Sequence, residues 1–554
     1  MSDKDSMKEI QKNNNITDDE SVAIKVISKR NIVLRIIIPL LCVIVILMLG
    51  AILVFPSIFS KNETAVKTEN VKSLTAYSKD NSLYVFDSVL RQSYMVDNNF
   101  TGDIYNVSVT PEMNWIYYTN PEKDSLNTYS FYRKSVKSVK SSKNSAATQN
   151  AEKINENIIS YDVSSNGNKA YYLKAAGKQS VLKNQYYDLY VKEESNNKKL
   201  DSNVIEMTYS AAEDILIYSK RKDEKTELKY IMEDSEPINI ADGFINKGAY
   251  VHNGGNVVYY ISSENKTDVL YKYDINEKVS EKLYDFGTKL NENSLYLCYV
   301  SGDDVYYSKN NVLYKYNVSD KSTVKVSDSK INKSSQGIYL DENDVTRSIF
   351  VSAENNIDSD NSVNDSMDVY DYVTILGLPY FYADNGKKNV FVYITSNTDS
   401  EKTDDTRYSY CIIKNGKTYR LDNTSEFYDC IYFNPYEDSV YMNQTGTEQS
   451  SFVKAIFNDN GTFSFKTTHI QNITYIDFGS DDTVAYTISD NTLKMCSDCN
   501  DFMVADNGAE ISKDVIDEKV VGKNCVIYKT ANNELYGCFD GKSSKIEDNI
   551  TDFN

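Results

Sequence analysis

Histidine and tryptophan are almost missing from this chain of 554 residues, which has two histidines and one tryptophan. A Ser-His-Asp or Cys-His catalytic centre needs a histidine base, so it would have to use His252 or His469. These two histidines lie far apart in sequence, which disfavours a zinc site. The G-x-S-x-G elbow of α/β-hydrolases does not occur. The sequence therefore assigns no catalytic, cofactor-binding or metal-binding residue.

Cysteine is scarce as well, with eight residues in total. Cys496 and Cys499 form a C-x-x-C, but no second such pair follows and no βαβ pattern surrounds it. Redox or metal use of this pair is therefore disfavoured.

Cys525 and Cys538 are the one candidate disulfide, because the segments around them have the pattern of a hairpin. A two-residue turn at positions 531–532 would set the two cysteines opposite each other. A turn at 532–533 would make them diagonal neighbours, about 7–8 Å apart, which is too far for a disulfide. The alternative, two small buried apolar side chains, is favoured.

Only one run is long and apolar enough to cross a bilayer, the twenty uncharged residues from Ile36 to Phe55. As a helix it would span roughly 30 Å, the thickness of the hydrocarbon core. Four basic residues crowd its N-terminal flank, Lys25, Lys29, Arg30 and Arg35, which predicts that this flank stays in the cytoplasm. The expected order is a cytoplasmic tail (1–31), a transmembrane helix (32–56), a stalk (57–73) and an extracellular domain (74–554). This predicts a single-pass protein of the cell membrane.

The charge is strongly one-sided, with a formal net charge of −20. An acidic surface repels phosphate backbones, so nucleic acid is not expected as a partner. The charge otherwise indicates a solvated surface.

Tyrosine is abundant by contrast, with 46 residues, and many of them lie in one recurring strand pattern. A β-branched and aromatic pentamer or hexamer returns every 42 to 54 residues, which predicts a propeller array of β-sheets. Its copies are WIYYT (115–119), AYYLK (170–174), LIYSK (216–220), VVYYIS (257–262), VYYSK (305–309), SIFVS (348–352), VFVYIT (390–395), SVYMN (439–443), VAYTI (484–488) and VIYKT (526–530), with LYVF (83–86) as an earlier candidate.

The surrounding residues complete the unit: a strand, a turn such as SSNGN (164–168), the aromatic strand, and an L-Y-x-Y strand such as VLYKYDI (269–275) or VLYKYNV (312–318). This unit resembles the TolB-type and WD40-like β-propeller repeat, as found in membrane-anchored bacterial surface proteins. SSNGNKAYYLK followed by DLYVKEES (188–195) carries the resemblance. The WD dipeptide is absent. The resemblance implies an all-β fold of four-stranded antiparallel blades and does not imply a ligand.

The copies predict ten or eleven units, more than the four to eight blades typical of one propeller. Two propellers in tandem, or one large ring with insertions, would accommodate them. A compositional break at AENNIDSDNSVNDSMD (353–368) favours two propellers with a join near 330–385.

A rigid ring that offers loops from every blade suits recognition, so we expect a non-catalytic binding or scaffolding module at the cell surface. Its expected partner is a protein or a cell-wall polymer. The alternative is a carboxylate-dependent glycan hydrolase or lyase, with two or three Asp or Glu converging on the propeller axis.

Overall fold

The computed structural model describes residues 74–554, apart from internal stretches. The stretches left out are 111–113, 123–127, 142–150, 165–166, 176–185, 211–214, 224, 233–234, 253–255, 265, 289–294, 311, 327–334, 342–346, 353–380, 384–388, 399–405, 415, 435–436, 446–450, 480–482 and 497–507. The predicted tail, transmembrane helix and stalk all lie outside the described residues. Within the described part, no helix combines the length and the apolar character needed to cross a bilayer.

Strands make up most of the described chain, joined by tight turns. In the first half they are β1 Leu74–Lys79, β2 Ser82–Asp87, β3 Gln92–Asp97, β4 Ser108–Val109, β5 Trp115–Pro121, β6 Tyr129–Ser135, β7 Glu152–Val163, β8 Lys169–Ala175, β9 Tyr187–Glu193, β10 Asn196–Ser210, β11 Ile215–Lys222, β12 Lys225–Met232, β13 Ile238–Asp242, β14 Phe244–His252, β15 Val257–Glu264, β16 Thr267–Asp274, β17 Val279–Asp285, β18 Leu295–Ser301, β19 Asp304–Lys309, β20 Val312–Asn317 and β21 Thr323–Lys325. In the second half they are β22 Ser335–Asp341, β23 Arg347–Ser352, β24 Phe381–Ala383, β25 Asn389–Thr398, β26 Thr406–Lys414, β27 Lys417–Thr424, β28 Phe427–Asn434, β29 Ser439–Thr445, β30 Ser451–Phe457, β31 Phe463–Gln471, β32 Ile473–Phe478, β33 Val484–Ile488, β34 Leu493–Cys496, β35 Ala509–Ser512, β36 Val515–Gly522, β37 Cys525–Thr530, β38 Leu535–Phe539, β39 Lys542–Glu547 and β40 Ile550–Phe553. A short helix, α1 (Val136–Ser141), and a 3-10 turn, Ile104–Asn106, interrupt them.

Most of the described strands form ten antiparallel units of four strands, which we number from the N-terminus. Two units have a fifth strand: β24 pairs in parallel with β14 in unit 5, and β23 pairs with β22 in unit 7. Units 2, 3 and 4 are fused into one ten-stranded sheet, because two long strands are shared between neighbouring units. β7 is the last strand of unit 2 and the first of unit 3, and β10 is the last strand of unit 3 and the first of unit 4. The first part of β7 pairs with β6, and its last part, from Ile158, pairs with β8. Each unit otherwise follows the order of the predicted repeat. This confirms the expectation of four-stranded antiparallel sheets, the construction of a propeller.

Apolar side chains between consecutive units hold the sheets against each other. Tyr117 and Tyr172 belong to one cluster between units 2 and 3, and Tyr307 and Phe391 to another that spans units 5, 6 and 7. Such clusters connect every consecutive pair of units, and a last one connects unit 10 to unit 1. The described units therefore form a closed circuit. One of these clusters spans units 5, 6 and 7, which lie on either side of the compositional break, and the arrangement of two propellers stays a prediction.

The circuit closes through the two ends of the described chain. The last strand, β40, pairs with β1 and supplies the first strand of unit 1, whose order is β3-β2-β1-β40. Phe553 and Tyr77 pair across this junction and lie in the same buried cluster. The first strands of several neighbouring units contact one another, for example β14 with β18 and β32 with β36. Fourth strands such as β17 and β39 are largely exposed. The first strands are therefore the inner strands of the ring.

Two copies of the sequence pattern lie on strands other than those expected. SIFVS (348–352) falls on β23, an extra strand that pairs with the inner strand β22. LYVF (83–86) lies on β2, and the aromatic strand of unit 1 is β1, with Tyr77 at the repeat position. The pattern misled because strand propensity does not record which strand of a unit a segment becomes.

A stacked tyrosine pair recurs inside the units and accounts for much of the tyrosine. The repeat tyrosine of the second strand faces a tyrosine of the third strand, with ring centroids 5.1 to 5.5 Å apart and planes within 13°. The pairs are Tyr77–Tyr84, Tyr118–Tyr132, Tyr172–Tyr190, Tyr260–Tyr271, Tyr307–Tyr314 and Tyr528–Tyr536. Cross-strand aromatic pairs of this kind contribute about 0.5–1.5 kcal/mol beyond the area that they bury.

The hydroxyl groups of three repeat tyrosines also tie a unit to the one before it. The Tyr118 hydroxyl donates to Asp97 on β3 at 2.6 Å, and the Tyr218 hydroxyl donates to Asp201 on β10 at 2.8 Å. Tyr172 accepts a hydrogen bond from Asn155 on β7 at 2.7 Å. Each of these side chains therefore stabilises its own sheet by stacking or packing. Its hydrogen bond stabilises the interface with the preceding unit.

Tyr118→Phe separates the two contributions, since it keeps the ring stack and removes the hydrogen bond to Asp97. We expect the free energy of unfolding to fall by about 1–2 kcal/mol. Tyr118→Ala removes the ring as well and should cost about 3–5 kcal/mol. Chemical denaturation measures both variants, with Tyr186→Phe at a partly exposed tyrosine as the matched control. Equal losses for Tyr118→Phe and Tyr186→Phe would contradict this role of the hydroxyl.

Candidate functional site on the inner strands

A row of polar and aromatic side chains crosses the inner strands of units 9, 10 and 1. Tyr475, Asp517 and Asp552 occupy equivalent positions on β32, β36 and β40. Each directly precedes the residue that pairs with the repeat tyrosine of its unit. The shared register therefore places them at the same level of three consecutive inner strands. Tyr475 keeps 39% of its surface exposed.

Tyr105 extends the row to unit 2. It lies in the 3-10 turn Ile104–Asn106, whose first residue is preceded by Asp103, and its backbone N–H donates to the Asp103 carboxylate at 3.0 Å. The Tyr105 side chain is 61% exposed. Partial burial, the negative charges of Asp552 and Asp517 and a hydrogen bond with Asp552 raise its pKa. We call Tyr475, Asp517, Asp552 and Tyr105 the inner-strand row.

Two further carboxyl groups lie beside the row, between units 9 and 10. The Asp477 carboxylate accepts a hydrogen bond from the Val520 N–H at 2.6 Å, and burial raises its pKa despite this bond. Glu518 is 3% exposed, and its Oε1 has no hydrogen-bond partner among the described residues. Burial, together with the charges of Asp517 and Asp477, raises the pKa of Glu518 to about 7, although hydrogen bonding with Thr487 opposes the rise.

The two carboxyl groups of the row influence each other across the ring junction. Burial and the charge of Asp552 raise the pKa of Asp517 to about 6. Lys529 lies near both, but its Nζ donates to the carbonyl of Thr551 at 2.6 Å and stays 3.7 Å from Asp552. Lys519 retains solvent contact on β36, and desolvation by the surrounding protein lowers its pKa. Each carboxyl group of the row therefore has a lysine near it, Lys519 beside Asp517 and Lys529 beside Asp552.

The arrangement can bind a donor-rich or cationic group, and it can hold and release protons near neutral pH. A carboxyl group with a pKa near 6 or 7 exchanges its proton in the range where general acids and bases operate. The exposed tyrosines at both ends of the row offer flat apolar surfaces. Within the described residues, no group of three His, Cys, Asp or Glu is arranged to hold a metal ion.

The candidate disulfide is wrong for a reason of register. Cys525 pairs with Phe539, and Cys538 pairs with Val526, so the two thiols lie on opposite faces of the β37–β38 hairpin. The loop between these strands is longer than either expected two-residue turn, since Lys529 pairs with Leu535. Cys538 packs in the cluster between units 9 and 10, as a small apolar side chain.

The two histidines are not brought together. His252 ends the inner strand β14 beside Tyr250 and Tyr259, whereas His469 is exposed on the outer strand β31. Cys496 ends β34, and Cys499 lies outside the described residues.

Sequence reasoning missed all members of the inner-strand row. Its two aspartates are among 80 Asp and Glu, its two tyrosines are among 46 Tyr, and none of the four belongs to a motif. The usable signal was positional for three of them, because Tyr105, Tyr475 and Asp517 lie on the segment before an aromatic strand. The closing strand β40 was not expected to belong to unit 1.

Comparison with known proteins gives only remote similarities. No family model and no curated protein matches this chain. It is similar to TolB from Acinetobacter baumannii at 10% identity, over 67% of this chain and 87% of that one, with a TM-score of 0.26. The propeller domain of the Trilobed protease from Pyrococcus furiosus matches at 9% identity, over 71% and 95%, with a TM-score of 0.26. Oligogalacturonate lyase from Vibrio parahaemolyticus matches at 12% identity, over 46% and 79%, also with a TM-score of 0.26.

The raised pKa of Glu518 predicts a pH dependence of stability. The folded protein keeps a proton that the unfolded chain releases above pH 4.5 or so, the ordinary pKa of the group. The stability linked to this proton is complete below that pH and is lost as the pH rises through about 7. Between about pH 5 and pH 8 the free energy of unfolding of the unaltered protein should therefore fall. The fall should be roughly 2 kcal/mol smaller in Glu518→Gln, which has no such proton to lose.

Chemical denaturation of the full chain across this pH range measures the effect. Glu236→Gln is the matched control, because the Glu236 side chain is 79% exposed. Parallel pH profiles for the unaltered protein and Glu518→Gln would contradict the assignment.

Proposed function

We propose that this protein is a membrane-anchored, extracellular β-propeller that acts as a binding module at the cell surface. The observation that carries the binding function is the inner-strand row, in which exposed Tyr105 and Tyr475 flank Asp517 and Asp552 on neighbouring strands. The apolar run from Ile36 to Phe55 supports the anchor and the orientation.

Partly exposed aromatic side chains are typical of a recognition surface. Tyrosine offers a large contact area at a small entropic cost, and tyrosine is enriched at interfaces for that reason. The rigid sheets below hold these side chains in place without a partner, which reduces the ordering cost of binding. The ligand class expected from the acidic surface is a protein or a polymer that carries positive charge.

Photo-crosslinking in the membrane of intact cells tests this function. A photoreactive phenylalanine analogue replaces Tyr105 or Tyr475 in the full chain, and Tyr186 serves as the matched position away from the row. We expect a discrete adduct from Tyr105 and Tyr475 that is absent from Tyr186. Identical adduct patterns from all three positions, or none from the row, would overturn the proposal.

A second candidate is a carboxylate-dependent glycan hydrolase or lyase. The observation that favours it is the group of carboxyl side chains on adjacent inner strands, with the pKa of Asp517 at about 6 and that of Glu518 at about 7. If Asp517 acts as an acid or base, Asp517→Asn should lower glycan turnover about 100-fold or more. Lack of turnover by the unaltered protein on acidic, neutral and amino-sugar polymers would remove this candidate.

A further inference from the structure

We propose that the turn between β2 and β3 of unit 1, together with the neighbouring helix α1, contacts the anionic lipid headgroups of the membrane that holds the predicted anchor. We call this surface, Asp87–Arg91 with Val136–Ser141, the apolar-basic tip. The inference rests on the membrane anchor of the proposed function and adds a second membrane contact, which would fix how the sheets are presented.

Two consecutive aliphatic side chains are exposed at this turn. Val89 is 47% exposed and Leu90 is 60% exposed, and no other exposed large hydrophobic residues of the described part are neighbours in the chain. The Asp87 carboxylate accepts the backbone N–H groups of both residues at 2.9 Å. It also pairs with the Lys140 ammonium of α1 at 2.5 Å, which connects the turn to unit 2. The aliphatic pair is therefore held on a turn of defined conformation.

The charge of the apolar-basic tip is opposite to that of the whole chain. Its charged groups are Asp87, Arg91, Lys137 and Lys140, three positive against one negative, whereas the chain carries −20. Lys137 is exposed, and the exposed Arg91 lies with its guanidinium 4.5 Å from the centre of the Phe539 ring in unit 10. Anionic lipids attract basic groups and repel an acidic surface. An anionic membrane would therefore select this side of the protein.

The basic character continues into unit 10 and ends in unit 3. In unit 10 the Asp540 N–H donates to the Asn524 carbonyl at 3.0 Å, which brings two turns together at the same end of the sheets. Lys523 and Lys542 lie in or next to these turns, against one acidic residue, Asp540. The corresponding turn of unit 3, between β9 and β10, carries Glu194 instead. The basic surface is thus limited to the part of the ring around unit 1.

The tip lies at the end of unit 1 where the chain arrives from the predicted anchor. Leu74 begins β1 and pairs with Asp87 at the end of β2, so chain entry and tip share one end of the sheet. The predicted stalk, 57–73, would reach at most about 60 Å when fully extended, and a coil of that length averages roughly 20–25 Å. Such a tether keeps the entry end of unit 1 within reach of a bilayer.

The chemistry of the tip suits a lipid surface better than a protein partner. Aliphatic side chains enter the boundary between headgroups and acyl chains, while lysine and arginine keep their charged ends among the headgroups. The apolar-basic tip contains no tyrosine or tryptophan, on which protein contacts most often depend.

Tryptophan fluorescence of the full chain in lipid nanodiscs tests this contact. Leu90→Trp places a reporter on the tip, and Val89→Trp is a second one. Tyr186→Trp is the matched control, because it precedes β9 at the opposite end of the sheets. The unaltered protein gives the background from Trp115. With acyl-brominated lipid in discs of phosphatidylglycerol, we expect about twofold or stronger quenching and a blue shift at the tip, and neither from Tyr186→Trp.

Charge variants in the reporter chain show whether basic groups hold the tip at the lipid. Arg91→Gln combined with Lys137→Gln leaves the ion pair of Asp87 intact and should remove at least half of the quenching. Phosphatidylcholine in place of phosphatidylglycerol should weaken it likewise. Lys225→Gln combined with Lys266→Gln is the matched control, at exposed turns of the opposite end, and should leave it unchanged. Thermal unfolding of each variant verifies folding.

Equal quenching of Leu90→Trp and Tyr186→Trp would overturn the inference. So would quenching that survives both the Arg91 and Lys137 substitutions and the zwitterionic lipid. A blue shift that appears in detergent micelles and grows with protein concentration would assign the tip to a second copy of the chain, and it would also overturn the inference.

Extraction of the discs and of cell membranes with alkaline carbonate separates this inference from the proposed function. If the chain stays with the lipid and both tip reporters are unquenched, the inference fails and the anchor stands. If the chain is extracted, the anchor and the inference both fail.

Discussion

The burial of aromatic and aliphatic side chains between neighbouring sheets is the interaction on which this structure depends. A single four-stranded sheet of this kind has two apolar faces and cannot cover them by itself. The repeat tyrosines stack or pack within their own sheet, and three of them also make a hydroxyl contact with the previous sheet. Sheet formation and ring formation are thereby coupled through the same side chains.

Closure follows from the same constraint. A row of sheets leaves an exposed apolar face at each end, and the described chain removes both by pairing β40 with β1. Units 10 and 1 then share the cluster that contains Tyr77, Ile527 and Phe553. The last few residues of the chain therefore hold the ring together, because they complete a sheet whose other strands form at the beginning of the described chain.

The acidic site lies at this junction, and its electrostatics follow from the packing. Carboxyl groups on inner strands lose hydration when neighbouring sheets approach, which disfavours their charged form. Burial raises the pKa of both Asp517 and Glu518. The two side chains are buried by different neighbouring sheets, because adjacent residues of a strand point to opposite faces. A ligand that brings positive charge would offset the same cost. This links the architecture of the ring to the recognition that we propose.

The alternation of tyrosine and β-branched residues determined by itself that the chain forms antiparallel sheets in repeated units, because strand periodicity is local and survives in each copy. The single apolar run likewise predicted a membrane segment without reference to the fold. Tertiary structure alone decided that LYVF lies on a third strand, that β40 belongs to unit 1, and that Cys525 and Cys538 face apart. It alone assembled Tyr475, Asp517, Asp552 and Tyr105. These outcomes depend on loop length, register and long-range pairing, which a local pattern does not encode.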